Sequence, residues 1–284
     1  MEKIAVVTDT GSNLSFAQAK ELGIYLLPLQ ITIDETTYQD TLEISTQDIY
    51  NELANGKMPK TSMAAYQKIY DLFEELKKDY DTIFAVPLTN GLSTNTSTMQ
   101  SIARELEMNV HVIDMYATCA LEKHVAIWIK KLVDEHKSSE EILKIIQPAI
   151  DESNSLILVK NLQHLKRGGR LTPMAAALAG LLKIYPVLHI NKSTEGRIDV
   201  LNKVRTEKRA DAYAIDKIMD DIDIRHTHIY IIHSNFLEGA DHFKKCFIEK
   251  GVPEQNIHID YISSVIAVHT GLGCIAIQYI REEN

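Results

Sequence analysis

Short apolar runs alternate with segments of helical period through the first half of the chain. Residues 4–7, 24–33, 83–88 and 110–113 are compact apolar stretches, whereas residues 15–22, 64–78 and 96–107 carry apolar positions three and four apart. In the 64–78 segment, Ile69, Leu72, Phe73 and Leu76 share one helical face, and Lys68, Asp71, Glu74, Glu75 and Lys78 lie mostly opposite. The alternation predicts strand and helix in turn, which favours a parallel sheet covered by helices. A long helix over 119–135, carrying Trp128, leads through Lys137-Ser138-Ser139 into another over 140–150, with Ser138 or Ser139 as its cap.

The second half has a different order of elements. A strand is expected over 156–159 and a helix over 173–182 with Pro173 in its first turn. Strands over 187–190 and 197–204 flank the polar turn 191–196, a pattern that suggests a hairpin. Helices at 208–219 and 237–250 then alternate with strands at 228–232, 257–262 and 275–280. The expected fold class is therefore α/β in two domains. The N-terminal one, residues 1–153, has a mainly parallel sheet, and the C-terminal one, 154–284, has a mixed sheet.

Composition narrows the function classes. The 284 residues are 45% hydrophobic and 24% charged, ordinary globular proportions with no low-complexity tract. A net charge of −9 argues against nonspecific nucleic-acid binding, which draws its affinity from many phosphate-neutralising cations. No apolar run reaches the length of a membrane span, and the N-terminal run meets Asp9 too soon for a secretory signal. Three widely spaced cysteines, Cys119, Cys246 and Cys274, suit a reducing compartment, so a cytoplasmic protein without stable membrane insertion is expected. The Asn95-Thr96-Ser97 sequon then carries no glycan.

Against that acidic background, Leu165-Lys166-Arg167-Gly168-Gly169-Arg170-Leu171 and Lys203-Val204-Arg205-Thr206 concentrate fixed cations. Arginine forms paired hydrogen bonds with carboxylate or phosphate, so these segments mark either an anion or partner surface or a solvated basic turn. Pro59-Lys60-Thr61-Ser62 stands before a predicted helix, where its hydroxyls either cap the helix or face a cleft and hold an anion. The hydroxyl-rich stretch 88–98 follows a buried strand, at the sheet edge where ligands of such folds bind.

Gly91-Leu92-Ser93-Thr94-Asn95 approaches a nucleophile elbow but has Asn95 in place of the second glycine. A serine hydrolase using Ser93 and His269 is the enzymatic alternative, with no acid singled out to orient the histidine. The spacing of His226, His228 and His233 matches no standard metal set, Gly271-Leu272-Gly273 has too little chain after it for a dinucleotide unit, and no Walker lysine motif occurs. No metal and no cofactor are therefore expected.

Taken in order, Val7-Thr8-Asp9-Thr10, Pro59-Lys60-Thr61-Ser62, Leu92-Ser93, 165–171, 203–206 and His269-Thr270-Gly271-Leu272-Gly273 resemble the bacterial DegV family over essentially the whole chain. The resemblance implies a non-catalytic carrier. It would hold one long-chain fatty acid between two α/β domains and present the carboxylate to a separate fatty acid kinase that makes the acyl phosphate. On the same resemblance Thr61, Ser62, Ser93 and His269 would meet the carboxylate, and Arg170 and Arg205 would dock the kinase or steady the phosphate. A lipid store or sensor without a kinase is the remaining alternative. Ala175, Leu178, Leu181 and Leu182 are candidates for the wall of the acyl tunnel or for plain core. The chain departs from the family's common Leu-Ser-Gly-Thr-Tyr and Gly-Pro-Gly patterns at Leu92-Ser93-Thr94-Asn95-Thr96 and at Leu272, and has Thr10 and Met115 where serines are usual.

Overall fold

A computed structural model describes residues 2–181 and 183–282. The chain opens with β1 (Ile4–Asp9), buried at every position, as a strand covered on both faces must be. Ser15 closes a capping box with Gln18 and starts α1 (Phe16–Leu22). The apolar run 24–33, expected as one element, is two strands: β2 (Tyr25–Leu27) and β3 (Gln30–Ile33) lie on either side of Pro28 and join different sheets. Proline has no N–H to give to a ladder, so the run breaks there.

Next come β4 (Thr36–Gln39), α2 (Thr46–Ala54), β5 (Lys60–Ser62), α3 (Tyr66–Leu76), β6 (Thr82–Val86), α4 (Asn95–Glu105) and β7 (Val110–Val112). Strands β2-β1-β6-β7 form a four-stranded sheet, parallel throughout, and β4-β3-β5 form a small antiparallel sheet beside it. The helices α5 (Ala120–Asp134) and α6 (Ser139–Glu152) then cover one face of the parallel sheet, where Trp128, Ile129, Ile142 and Ile146 pack on Val6 and Phe84. Ser138 caps α6 through a box with Glu141.

The remainder runs β8 (Asn154–Leu158), α7 (Leu162–Arg167), α8 (Pro173–Leu178), β9 (Tyr185–Ile190), β10 (Asp199–Val204), α9 (Glu207–Asp221), β11 (Thr227–His233), α10 (Leu237–Glu249), β12 (Ile257–Tyr261), α11 (Ser264–Thr270) and β13 (Ile275–Arg281). Six strands pair in the order β10-β9-β8-β13-β11-β12, with only β11 and β12 parallel, so this sheet is mixed as expected. Helices α9 and α10 bury Ala214, Ile218, Phe243 and Phe247 on one face of it.

The other face turns toward the first part of the chain. There Ile157, Leu188, Ile190, Ile232 and Ala276 form an apolar cluster with Tyr50 of α2, Cys119 and Ala120. Buried polar ties pin the junction: the main-chain N–H of Ala120 donates to Gln278 Oε1 at 3.0 Å, Gln278 Nε2 donates to the Thr118 carbonyl at 2.9 Å, and the Tyr50 hydroxyl donates to the Ile262 carbonyl at 2.7 Å. Each satisfies a group that would otherwise be costly to bury. Among the described residues no helix is long and apolar enough to cross a membrane.

Candidate functional site

The carboxyl edge of the parallel sheet meets α11 and the turn between α7 and α8 around a cavity of about 400 Å³. That is within the usual size of a small-molecule site. Thr61, Ser62, Ser93, Arg170 and His269 all line it, together with Leu29, Met63, Leu92, Ile198 and Ile266. Residues widely separated in sequence are therefore brought to one place. Arg205 is not among the lining residues; it stands exposed after β10.

The local reason for each position differs from the simplest sequence expectation. Thr61 and Ser62 do not cap a helix: they belong to β5, paired with β3, and α3 starts later, with Ala65 at its N-cap and no side-chain cap bond. Thr61 Oγ1 and His269 Nε2 share a hydrogen bond of 2.7 Å. The Ser62 hydroxyl, more exposed, donates to Gln30 Oε1 at 3.0 Å, which leaves only its lone pairs for the cavity.

Ser93 sits in the loop between β6 and α4, whose N–H groups at Leu92 and Ser93 both donate to the Thr89 carbonyl at 3.1 Å. Thr94, at the N-cap of α4, makes no side-chain cap bond; instead Ser93 Oγ accepts from the Asn95 N–H at 3.2 Å. The loop also touches the hairpin turn between β9 and β10. A Cβ on Gly91 would lie 2.2 Å from the Gly196 carbonyl group, and one on Gly196, at φ +70°, would lie 2.1 Å from Thr89 Oγ1. Main chain meets main chain here, and no larger residue fits either position without displacement.

His269 rides the last turn of α11, a helix that the sequence pattern did not reveal. Burial, followed by electrostatic repulsion from Arg170 and then His164, pushes its pKa down to about 3, so the ring is neutral at ordinary pH. Arg170 curls back: Nη1 donates to the Gly168 carbonyl at 2.7 Å, and a bridge between Leu171 and Ile198 holds the turn against the hairpin. Partial burial lowers its pKa without taking away its charge. The cavity thus offers hydroxyls, a neutral imidazole and a single arginine.

That combination does not assemble a hydrolytic triad. His269 Nε2 is engaged by Thr61, and among the described residues no hydrogen bond joins the ring to Ser93 or to a carboxylate. The three histidines weighed as a metal set have their own partners: His226 is bound to Asp223, His228 to His258, and His233 Nδ1 accepts from the Phe236 N–H. No cluster among the described residues is arranged to hold a metal ion.

Behind the loop lies a buried acidic network whose residues sequence reasoning left without a role. Asp9, Asp40 and Glu122 are all buried to completion. Burial raises the pKa of each, Asp40 to about 6 and Glu122 furthest above its ordinary value. The position of Asp9 at the carboxyl end of a fully apolar strand was the available signal, since a carboxylate there faces the ligand edge of such a sheet.

The wall proposed for an acyl tunnel changes in detail. α8 ends at Leu178 rather than near 182; Ala175 and Leu178 are buried, Leu181 is 52% exposed, and Leu182 lies outside the described residues. The larger apolar surface next to the cavity is the interfacial cluster, since Leu92, Ile198 and Ile266 line the cavity and belong to that cluster or pack on it. Two free thiols, Cys119 and Cys274, are buried in it; burial raises both, Cys274 to about 12.

The family model described as "Uncharacterised protein, DegV family" matches residues 3–282. The chain belongs to the DegV family. A DegV domain-containing protein of Halalkalibacterium halodurans is 31% identical over 288 aligned residues that cover 100% of both chains, and one of Staphylococcus aureus is 28% identical over 99% of this chain and 100% of its own. Among solved structures, the fatty acid binding DegV family protein of Streptococcus agalactiae superposes with a TM-score of 0.91 at 29% identity, covering 100% of both chains. DegV from Bacillus subtilis, described as a fatty acid binding protein, superposes with a TM-score of 0.86 at 26% identity over 99% of this chain and 100% of its own. The parallel and mixed sheets of this chain are thus those of the DegV fold.

Proposed function

We propose that this DegV protein binds a long-chain fatty acid between two halves, residues 1–153 and 154–284, and presents its carboxylate to a fatty acid kinase. One observation carries the reading: a cavity that offers hydroxyls, a neutral imidazole and Arg170 shares Leu92, Ile198 and Ile266 with an apolar cluster packed between both parts of the chain. An amphiphile with one small anionic head and a long tail matches that pairing. The fatty acid binding described for the Streptococcus agalactiae and Bacillus subtilis proteins supports the same ligand class.

In this reading Thr61 and Ser93 donate to the carboxylate, neutral His269 donates through Nε2 to Thr61 and so leaves the threonine proton for the ligand, and Ser62 stands at the rim. The tail supplies most of the affinity: about 0.8 kcal/mol per buried methylene gives roughly 12 kcal/mol gross for about fifteen methylenes, before ordering costs. Hydroxyl donors orient the head without the deep ion pair that would make the carboxylate a poor nucleophile. In the same reading Arg170, which lines the cavity, meets a phosphoryl group arriving at the carboxylate, and Arg205, which is exposed, meets the kinase surface. The chain supplies no catalytic residue of its own, and the carrier acts in the bacterial cytoplasm.

The test is mass spectrometry of an organic extract from natively purified protein, with an unrelated protein extracted alongside. A near-stoichiometric long-chain fatty acid is expected. An extract that stays empty after incubation with mixed fatty acids would remove the proposed function and leave the fold untouched.

A further inference from the structure

Asp9 is the most completely engaged charged group beside the cavity. Its Oδ1 accepts the Gly11 N–H at 2.8 Å, and its Oδ2 accepts both the Leu88 N–H at 2.9 Å and the Asn95 side-chain amide at 2.6 Å. Leu88 opens the Ser93 loop and Asn95 begins the helix after it, so one carboxylate oxygen clasps the loop at both ends. Thr96 Oγ1 closes the same ring by donating to the Leu88 carbonyl at 3.0 Å. Glu122, facing Asp9 from α5, retains its proton: two carboxylates cannot share a buried site as anions, and Asp9 has the three N–H donors.

Asn95 has a second tie. Its main-chain N–H, unclaimed inside the first turn of α4, donates to Ser93 Oγ. A hydroxyl has one proton and two lone pairs, so accepting from Asn95 leaves the Ser93 proton available. Among the described residues no acceptor takes it. Asn95 Oδ1 is buried without a hydrogen-bond partner among the described residues, so the amide is held by its donor side alone.

We infer that Asn95 is a positioning residue for the carboxylate site, anchored by its amide to buried Asp9 and orienting Ser93 by its main-chain N–H so that the serine proton points to the ligand. The inference rests on the fatty acid reading of the cavity. It also gives a use to a position where this chain departs from the commoner family pattern, and to the Asp9 motif that no binding role had absorbed.

The experiment is a double-mutant cycle with palmitate as the probe, read by isothermal titration. Asn95→Ala and Ser93→Ala should each weaken palmitate binding about tenfold, the scale of one hydrogen bond to a charged group. The double variant should stay within about twofold of either single one, because both remove the same interaction. Losses that multiply would overturn the inference, since Asn95 would then act independently of Ser93. Failure of the unaltered protein to bind palmitate or any other long-chain acid would overturn the fatty acid reading and this inference with it.

Asn95→Asp, nearly isosteric, covers the case in which Asn95→Ala does not fold. The titratable group it touches is Asp9, to which Glu122 and Asp40 are coupled, with Cys119 coupled in turn to Glu122. A carboxyl at position 95 can donate to Asp9 only while protonated, so affinity relative to the unaltered protein should fall as pH rises from about 6 to about 9, or stay near one if the proton is held throughout. A ratio that is low and flat with pH would overturn the inference, as a merely structural defect behaves that way.

Discussion

On one wall of the cavity Ser93 stands in a loop tied at both ends to a buried carboxylate, while on the other His269 rides a seven-residue helix that is packed between two apolar clusters and bonded at single points, by Ser264 to Asp40, by the Val268 carbonyl to His164 and by His269 itself to Thr61. The first wall is built from hydrogen bonds to Asp9, with Glu122 behind it as a second, neutral carboxyl. The second is built from Val265, Ala267 and Val268, which wedge α11 between two apolar clusters. A bonded wall fixes direction and fails when one acceptor is lost; a packed wall fixes distance and controls charge by excluding water. For the carboxylate site proposed above, which would orient its ligand without trapping it, both are useful, and they predict different failures.

The largest expected effect breaks the bonded wall. Asp9→Ala leaves the N–H groups of Gly11 and Leu88 and the Asn95 amide without their acceptor, and should cost roughly 3–5 kcal/mol of stability. Urea unfolding measures it. A loss under about 1 kcal/mol, the scale of an ordinary surface change, would mean that the network is no stronger than packing and the contrast would disappear.

The packed wall should reveal itself through pH instead. His269 has a folded pKa of about 3 against roughly 6.5 unfolded, so the unfolded chain takes up the proton first and stability falls as pH drops below about 6.5. Asp40 works in the opposite sense: its folded pKa of about 6 exceeds the unfolded value of about 3.8, and its contribution grows as pH falls through that window. Because Asp40 is present in both proteins, the stability difference between the unaltered chain and His269→Gln isolates the histidine. That difference should shift against the unaltered chain steadily from about pH 6.5 downward, by urea unfolding at a series of pH values. A flat difference would show that the ring is not held neutral by its surroundings.

The smallest effect lies outside both walls. Arg205→Ala should leave stability within about 0.5 kcal/mol and palmitate affinity within about twofold, while slowing acyl phosphate formation by the proposed kinase partner severalfold at low salt. Steady-state kinase assays at two ionic strengths would check it. A collapse of lipid affinity would place Arg205 in the pocket rather than on a docking surface.

Much of this architecture could be read from periodicity: the fully apolar β1, the amphipathic α3 and the β9–β10 hairpin all have strong local patterns. What escaped were elements whose reason is tertiary. The run 24–33 looked continuous because apolar count ignores the missing N–H of Pro28. Thr61 and Ser62 looked like a cap because short edge strands carry almost no periodic signal, and α11 was hidden because its seven residues are buried on several sides. Of the site, Ser93, His269, Thr61 and Arg170 were legible as motif residues that the fold does gather around one cavity. Asn95 and Glu122 were not, since a side chain that acts by holding another leaves no spacing to detect.

The interfacial thiols turn this architecture into a timepiece. Cys119 and Cys274 are sealed in the apolar seam with their thiolates suppressed, whereas Cys246 is only partly covered on α10. Alkylation needs the thiolate and access to it, so the sealed pair can react only as fast as the seam parts, while Cys246, whose thiol partial burial also raises, reacts without that opening. The chain therefore carries both probe and reference in one molecule: at low reagent the slow rate measures how often the seam is open, and at reagent high enough to outpace reclosing it measures how fast the seam opens.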